Sequence, residues 1–186
     1  MILGKNVEMQ SEHKYARVER ERRFLLDRFP VDVNVVRTRR IIDHYIDGTT
    51  LRLREQREEH GPTRFKLTQK VPARASGAQE GLITSMYLTQ DEFYVLTQLS
   101  AKRLSKTRFS VPPFGIDVFE GTLGGLVLGE AEFDSAGAAD ALTLPSFIRA
   151  EVSADNRFTG GRLVGASRHD IQTWLLEYGI RLGIPD

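Results

Sequence analysis

Ionisable residues recur two apart near both ends of this 186-residue chain, and that spacing constrains the fold more than any other feature. In the run Glu19-Arg20-Glu21-Arg22-Arg23, the residues Glu19, Glu21 and Arg23 fall in step, and Glu130 and Glu132 repeat the pattern late in the chain. Residues two apart in a β-strand point to the same face. Like charges stacked on one face repel unless opposite charge lies between them. A divalent cation held by carboxylate oxygens meets that need, and with interleaved bases it points to a site for a polyphosphate.

The same alternation runs through the chain. Arg52 and Arg54 alternate with Leu51 and Leu53, and Lys66 lies between Phe65 and Leu67. Lys106 and Arg108 alternate with Thr107 and Phe109, Asp117 lies between Ile116 and Val118, and Glu130 and Glu132 flank Ala131. Strands are expected over Val18–Leu26, Arg39–Asp47, Thr50–Arg57, Arg64–Val71, Ile83–Leu88, Arg103–Val111, Phe114–Phe119, Leu126–Phe133 and Ile148–Ser153, with Asp47-Gly48 as a hairpin signal. Eight or nine strands in hairpin order predict a mainly β (α+β) chain, an antiparallel sheet or barrel with a few helices packed outside.

Any one of these strands reads equally well as half-wet, with its charged face in solvent. Taken together they read differently. The acids fall on the first and late strands and the bases on the middle ones, so a closed sheet would enclose a charged lumen. Such a lumen is tolerable only if it is wet and its charges are paired or occupied by ligand.

Helices are expected over Gln90–Leu99, where Thr89 and Glu92 form a capping box, over Ser135–Leu142, and behind Ser167 with the stripe Ile171, Trp174, Leu175 and Tyr178. Residues 1–14 read as a loose N-terminal tail without the apolar core of a signal peptide, and 15–186 as a single domain. The 40% hydrophobic content supports one core, and a net charge of +1 argues against a nucleic-acid binder. No cysteine is present, which fits a reducing cytoplasm, and no apolar run is long enough to span a membrane. Histidines 13, 44, 60 and 169 have no metal-ligand spacing, and the basic run Arg37–Arg40 reads as a solvated strand end.

In order along the chain, Glu19-x-Glu21-x-Arg23, Arg52-x-Arg54, Lys66, Lys106-x-Arg108, Asp117-x-Phe119-x-Gly121, Gly125-Leu126 and Glu130-x-Glu132-Phe133 resemble the signature series of the CYTH proteins, the triphosphate tunnel metalloenzymes. The stretch Glu151–Phe158 is similar to the family's closing motif, so the resemblance spans about residues 17–163. It implies an eight-stranded antiparallel tunnel. Glu19, Glu21, Asp117, Glu130 and Glu132 would hold Mg²⁺ or Mn²⁺, and Arg52, Arg54, Lys66, Lys106, Arg108 and Arg157 would hold the phosphates. Arg23 would join the four glutamates in catalysis.

The implied activity is metal-dependent hydrolysis of a linear triphosphate, with inorganic tripolyphosphate the first substrate to test and ATP or thiamine triphosphate the others. The alternatives are an adenylate cyclase or a nucleoside or thiamine triphosphatase on the same tunnel, and a non-catalytic polyphosphate- or nucleotide-binding module. A homodimer is compatible with all of them. Two departures from the family pattern stand out. Arg23 replaces the signature lysine, and the strand Leu82–Tyr87 carries none of the charges that many members have there.

Overall fold

A turn at Asp47–Thr50 folds the chain back on itself, with Gly48 at φ +71°, a conformation that glycine adopts without the Cβ penalty. It joins β2 (Arg37–Ile46) to β3 (Leu51–Glu58). The computed structural model describes residues 14–72 and 80–183. The remaining strands are β1 (Arg17–Leu26), β4 (Thr63–Pro72), β5 (Glu80–Leu88), β6 (Ala101–Val111), β7 (Phe114–Phe119), β8 (Val127–Glu132) and the two-residue β9 (Ala150–Glu151). Most of the expected tail, and the segment 73–79 between β4 and β5, lie outside the described residues.

Every strand pairing is antiparallel, in the order β5-β4-β3-β2-β6-β7-β8-β1, and β5 pairs back to β1. The sheet therefore closes into an eight-stranded barrel. Closure depends on the length of β1. Residues 17–20 pair with β5, and further along the same edge Phe24 and Leu25 pair with β9.

Strand register then decides what faces inward. Directly opposed residues share a face, so Arg23 with Glu130, Glu21 with Glu132, Arg54 with Asp43, and Arg108 with Asp117 all fall on the inward face of the sheet. The opposite parity packs outside. Phe93 of α1 (Gln90–Leu96) covers Ile46, Leu53, Phe65 and Leu67, and the expected Thr89–Glu92 capping box starts the helix. A second outer cluster joins Phe24, Leu26, Phe114, Ile116 and Val127 to Phe147 and Ile148.

The largest apolar cluster closes one end of the lumen. Leu25, Leu104, Phe119 and Leu128 share the parity of the charged residues and meet Phe158, Leu163, Ile171 and Leu175. The last three come from α3 (Gly160–Leu163) and α4 (Arg168–Leu176), which follow a short 3-10 turn at Asn156–Phe158. Each such side chain removed from water contributes on the order of 2 kcal/mol. The C-terminal stripe thus packs onto the barrel's end, while α1 packs on its wall. The helix expected at Ser135–Leu142 shortens to α2 (Ala136–Asp140), which buries no side chain. None of the described helices is long and apolar enough to cross a membrane.

Candidate active site

The lumen holds a cavity of about 460 Å³. Glu19, Glu21 and Arg23 reach it from β1, Arg52 and Arg54 from β3, Thr68 and Lys70 from β4, Lys106 and Arg108 from β6, and Glu130 and Glu132 from β8. Ten of the twelve sequence-predicted site residues are on or directly beneath this surface, with Asp117 beneath it; Lys66 and Arg157 are not.

Two fully buried aspartates organise the bases. Asp43 accepts a two-pronged grip from Arg54, with Nε–Oδ1 at 2.7 Å and Nη2–Oδ2 at 2.8 Å, and Arg52 Nε lies 3.6 Å away. Asp117 is gripped by Arg108 at 2.6 Å through both Nε and Nη2, and also takes a hydrogen bond from Lys106. Planar guanidinium forks fix orientation as well as charge. Burial alone would push the Asp43 carboxyl up, but Arg54 and Arg52 outweigh it and hold it well below the ordinary range. Asp117 therefore does not line the cavity; both its oxygens are engaged by bases that do.

The acids occupy the β1/β8 sector. Arg23, 4% exposed, donates to Glu21 at 3.0 Å and to the Ser153 carbonyl at 3.1 Å. Lys70 Nζ lies 2.5 Å from Glu19 and 3.7 Å from Glu21. Glu130 accepts from Arg108. Burial opposes its ionisation, yet Arg108, Lys106 and Lys70 hold it well below the usual carboxylate range. Glu21 behaves oppositely. Burial, and next the charge of Glu130, push its carboxyl up despite Lys70 and Arg23. Glu21 is thus a desolvated carboxylate beside a second one, and a bound cation would favour its ionised form.

Among the described residues no group of three or more Asp, Glu or His side chains converges closely enough to hold a metal ion. Glu19, Glu21 and Glu130 are each turned toward a base instead.

Lys66 shares the lumen parity, opposite Arg54, but its ammonium lies over the Tyr87 ring at 5.0 Å and outside the cavity. Arg157 is elsewhere. Its guanidinium bridges Asp155 and Glu177, each at 2.7 Å, and packs near Trp174, which anchors the C-terminal helix. The Arg37–Arg40 run is not simply a solvated strand end, because Arg39 is half-buried on the lumen face opposite Arg108.

Several cavity residues had no sequence signal strong enough to single them out. Tyr45 and Thr68 are two of them, and Asn156, Thr159 and Arg162 enter from the closing segment. Lys70 was visible in the alternation at 64–71 but not separable there from Lys66. The lumen parity of β5 runs Gly81, Ile83, Ser85 and Tyr87, the last two exposed, and carries no charge, in line with the charge-poor sector expected from the sequence; Ser85 hydrogen-bonds Thr68 at 3.0 Å.

The fold and site together define a closed antiparallel barrel with a charged, anion-ready lumen. No protein-family model matches the chain. Over 151 residues it is 32% identical to an inorganic triphosphatase of Nitrosomonas europaea, covering 75% of this chain and 92% of that one. A crystal structure of the inorganic triphosphatase NE1496 superposes with a TM-score of 0.53 at 27% identity, over 80% of this chain and 95% of that one. A second crystal structure of NE1496 gives the same TM-score and identity. The chain belongs to the inorganic triphosphatase family.

Proposed function

We propose that this chain is a CYTH-type tunnel enzyme that hydrolyses a linear triphosphate, with inorganic tripolyphosphate as substrate and Mg²⁺ or Mn²⁺ as cofactor. The observation that carries the proposal is the charge balance of the cavity. Seven basic and four acidic side chains line it, and buried Asp43 and Asp117 bring the acids to six, leaving about one excess positive charge. A triphosphate carries about four negative charges near neutral pH, so its entry into a partly desolvated lumen calls for further cations.

Glu19, Glu21, Glu130 and Glu132 are the oxygen donors that would hold such a cation, and the raised carboxyl of Glu21 supports their fit. When bound, the ion would polarise phosphoryl oxygens. The chain's own residues do the rest. Arg52, Arg54, Lys70, Lys106 and Arg108 face the phosphate chain and stabilise charge that builds up on its oxygens as the anhydride breaks. Asp43 and Asp117 keep the guanidiniums aimed before substrate arrives, so little reorganisation accompanies the reaction. Arg23, locked by Glu21 and Ser153, supports the acidic sector. The uncharged β5 face favours a second reading, a module that binds polyphosphate without turnover.

Phosphate release from tripolyphosphate, ATP and thiamine triphosphate, each with Mg²⁺, Mn²⁺ or chelator, tests the first reading, with Glu130→Gln as the control. Metal-dependent release from tripolyphosphate, lost in a folded E130Q variant, is the expected result. Binding with no release under any condition would leave the module reading.

A further inference from the structure

Arg39 shares the lumen parity of β2 with Asp43 and Tyr45 but does not line the cavity. It is directly opposite Arg108 on β6, with Cα atoms about 5 Å apart, and opposite Glu58 on β3. Its Nη2 donates to Ser110 Oγ at 2.7 Å, and its buried Nε has no hydrogen-bond partner among the described residues. Glu58 and Asp117 offset its charge only in part, and Glu58 makes no hydrogen bond to it. That carboxylate lies 3.9 Å from Arg37 Nη1 instead, and its Oε1 is also buried without a hydrogen bond. Arg39 thus lies between Arg37 and Arg108. Burial first, and then those two charges, push its guanidinium below its ordinary value against the opposing pull of Glu58 and Asp117.

Arg108 is already paired with Asp117 and Glu130 and Arg37 lies near Glu58, but Arg39 Nε is left buried without a partner among the described residues, a cost that an added anion would offset. We propose that Arg39, with Arg108 beside it and the Ser110 hydroxyl as a further donor, forms a subsite for one more phosphoryl group beyond the three held in the main cavity. The group is either the end of a chain of four or more phosphates or free orthophosphate held after cleavage. The proposal rests on the reading that the lumen holds a linear phosphate chain, but it does not depend on turnover.

Calorimetric titration of the full chain with tripolyphosphate, tetrapolyphosphate and orthophosphate, at fixed salt and without divalent cation, tests it. A charge-assisted contact predicts that the wild type binds tetrapolyphosphate about tenfold or more tightly than tripolyphosphate. In Arg39→Gln that ratio should collapse toward one, and Arg39→Lys should restore part of it. If orthophosphate also binds to the tripolyphosphate-loaded wild type and not to loaded R39Q, the subsite serves the product; if only the tetrapolyphosphate preference appears, it serves the longer chain. No preference in the wild type, or a preference equally strong in R39Q, overturns the proposal. Because no cleavage is needed, absence of phosphate release would count against the hydrolase reading alone.

Discussion

Arg108 on β6 reaches Glu130 on β8 across Gly115 of the intervening β7, and it is glycine that leaves the path open. A Cβ at position 115 would lie 3.3 Å from Arg108 Cδ and 3.4 Å from Nε. A valine there would press the guanidinium off Asp117 and away from Glu130. Gly115→Val should weaken tripolyphosphate binding about tenfold or more, the equivalent of one charge-assisted contact, whereas Gly115→Ala should cost much less. Calorimetric Kd values for the two variants check this. Equal Kd values for wild type and G115V would show that Arg108 meets phosphate without its present alignment.

The Asp43 pair with Arg54 and Arg52 carries a pH signature. Burial opposes ionisation of Asp43 but the arginines prevail, so its folded-state value is well below its ordinary 3.8. The stability that this depression contributes is complete above the unfolded value and is lost as pH falls below it. Asp43→Asn strands two buried guanidiniums and should cost about 3 kcal/mol at pH 7. The gap between wild type and variant should shrink by about 1 kcal/mol between pH 7 and pH 3. Urea unfolding at the two pH values measures it; a constant gap would mean that Asp43 is not ionised in the native protein.

Why Asp43 escaped sequence reading, while Asp117 did not, lies in the parity of each strand. Asp117 sits between Ile116 and Val118, a clean alternation. On β2 the lumen face runs Arg39, Ile41, Asp43, Tyr45 and the outer face runs Arg40, Ile42, His44, Ile46, so both faces mix charge with apolar bulk. The hairpins were legible because Asp47-Gly48 and the alternating runs are local signals. Closure of β5 onto β1 is not local, and neither is the end-plug, whose Phe158 and Ile171 meet Leu25 and Leu128 from far along the chain. Arg157 matched a family motif in order, yet Asp155, two residues before it, and Glu177, the residue that caps the end of α4, take up its charge.

Tyr45 and Gly160 join the lumen to its plug. A Cβ on Gly160 would fall 2.0 Å from the Tyr45 hydroxyl oxygen and 3.1 Å from Cζ, so one of the two must move. Gly160→Ala should therefore cost about 2 kcal/mol, the scale of overpacking a filled site. Combining it with Tyr45→Phe removes the nearest atom and should recover much of the loss. Thermal melts of both single variants and the double variant form the cycle; additive losses would show that the two residues do not meet in solution.

Lys70 and Lys66 share β4 and the same parity, yet only Lys70 reaches the cavity. Its ammonium stands beside Glu19 and Glu21 and would face the phosphate chain once a cation takes up those carboxylates. Lys70→Ala should raise KM for tripolyphosphate about tenfold, the loss of one charged contact, and Lys66→Ala should raise it far less. Lys70 also neutralises the acids in the absence of metal, so its removal leaves Glu19 and Glu21 short of positive charge. The same K70A variant should accordingly bind Mn²⁺ alone more tightly than the wild type, seen by titration without substrate, even as its KM rises. A fall in both affinities would indicate that Lys70 holds the acidic sector in shape, and a larger KM effect in K66A would return the phosphate contact to Lys66.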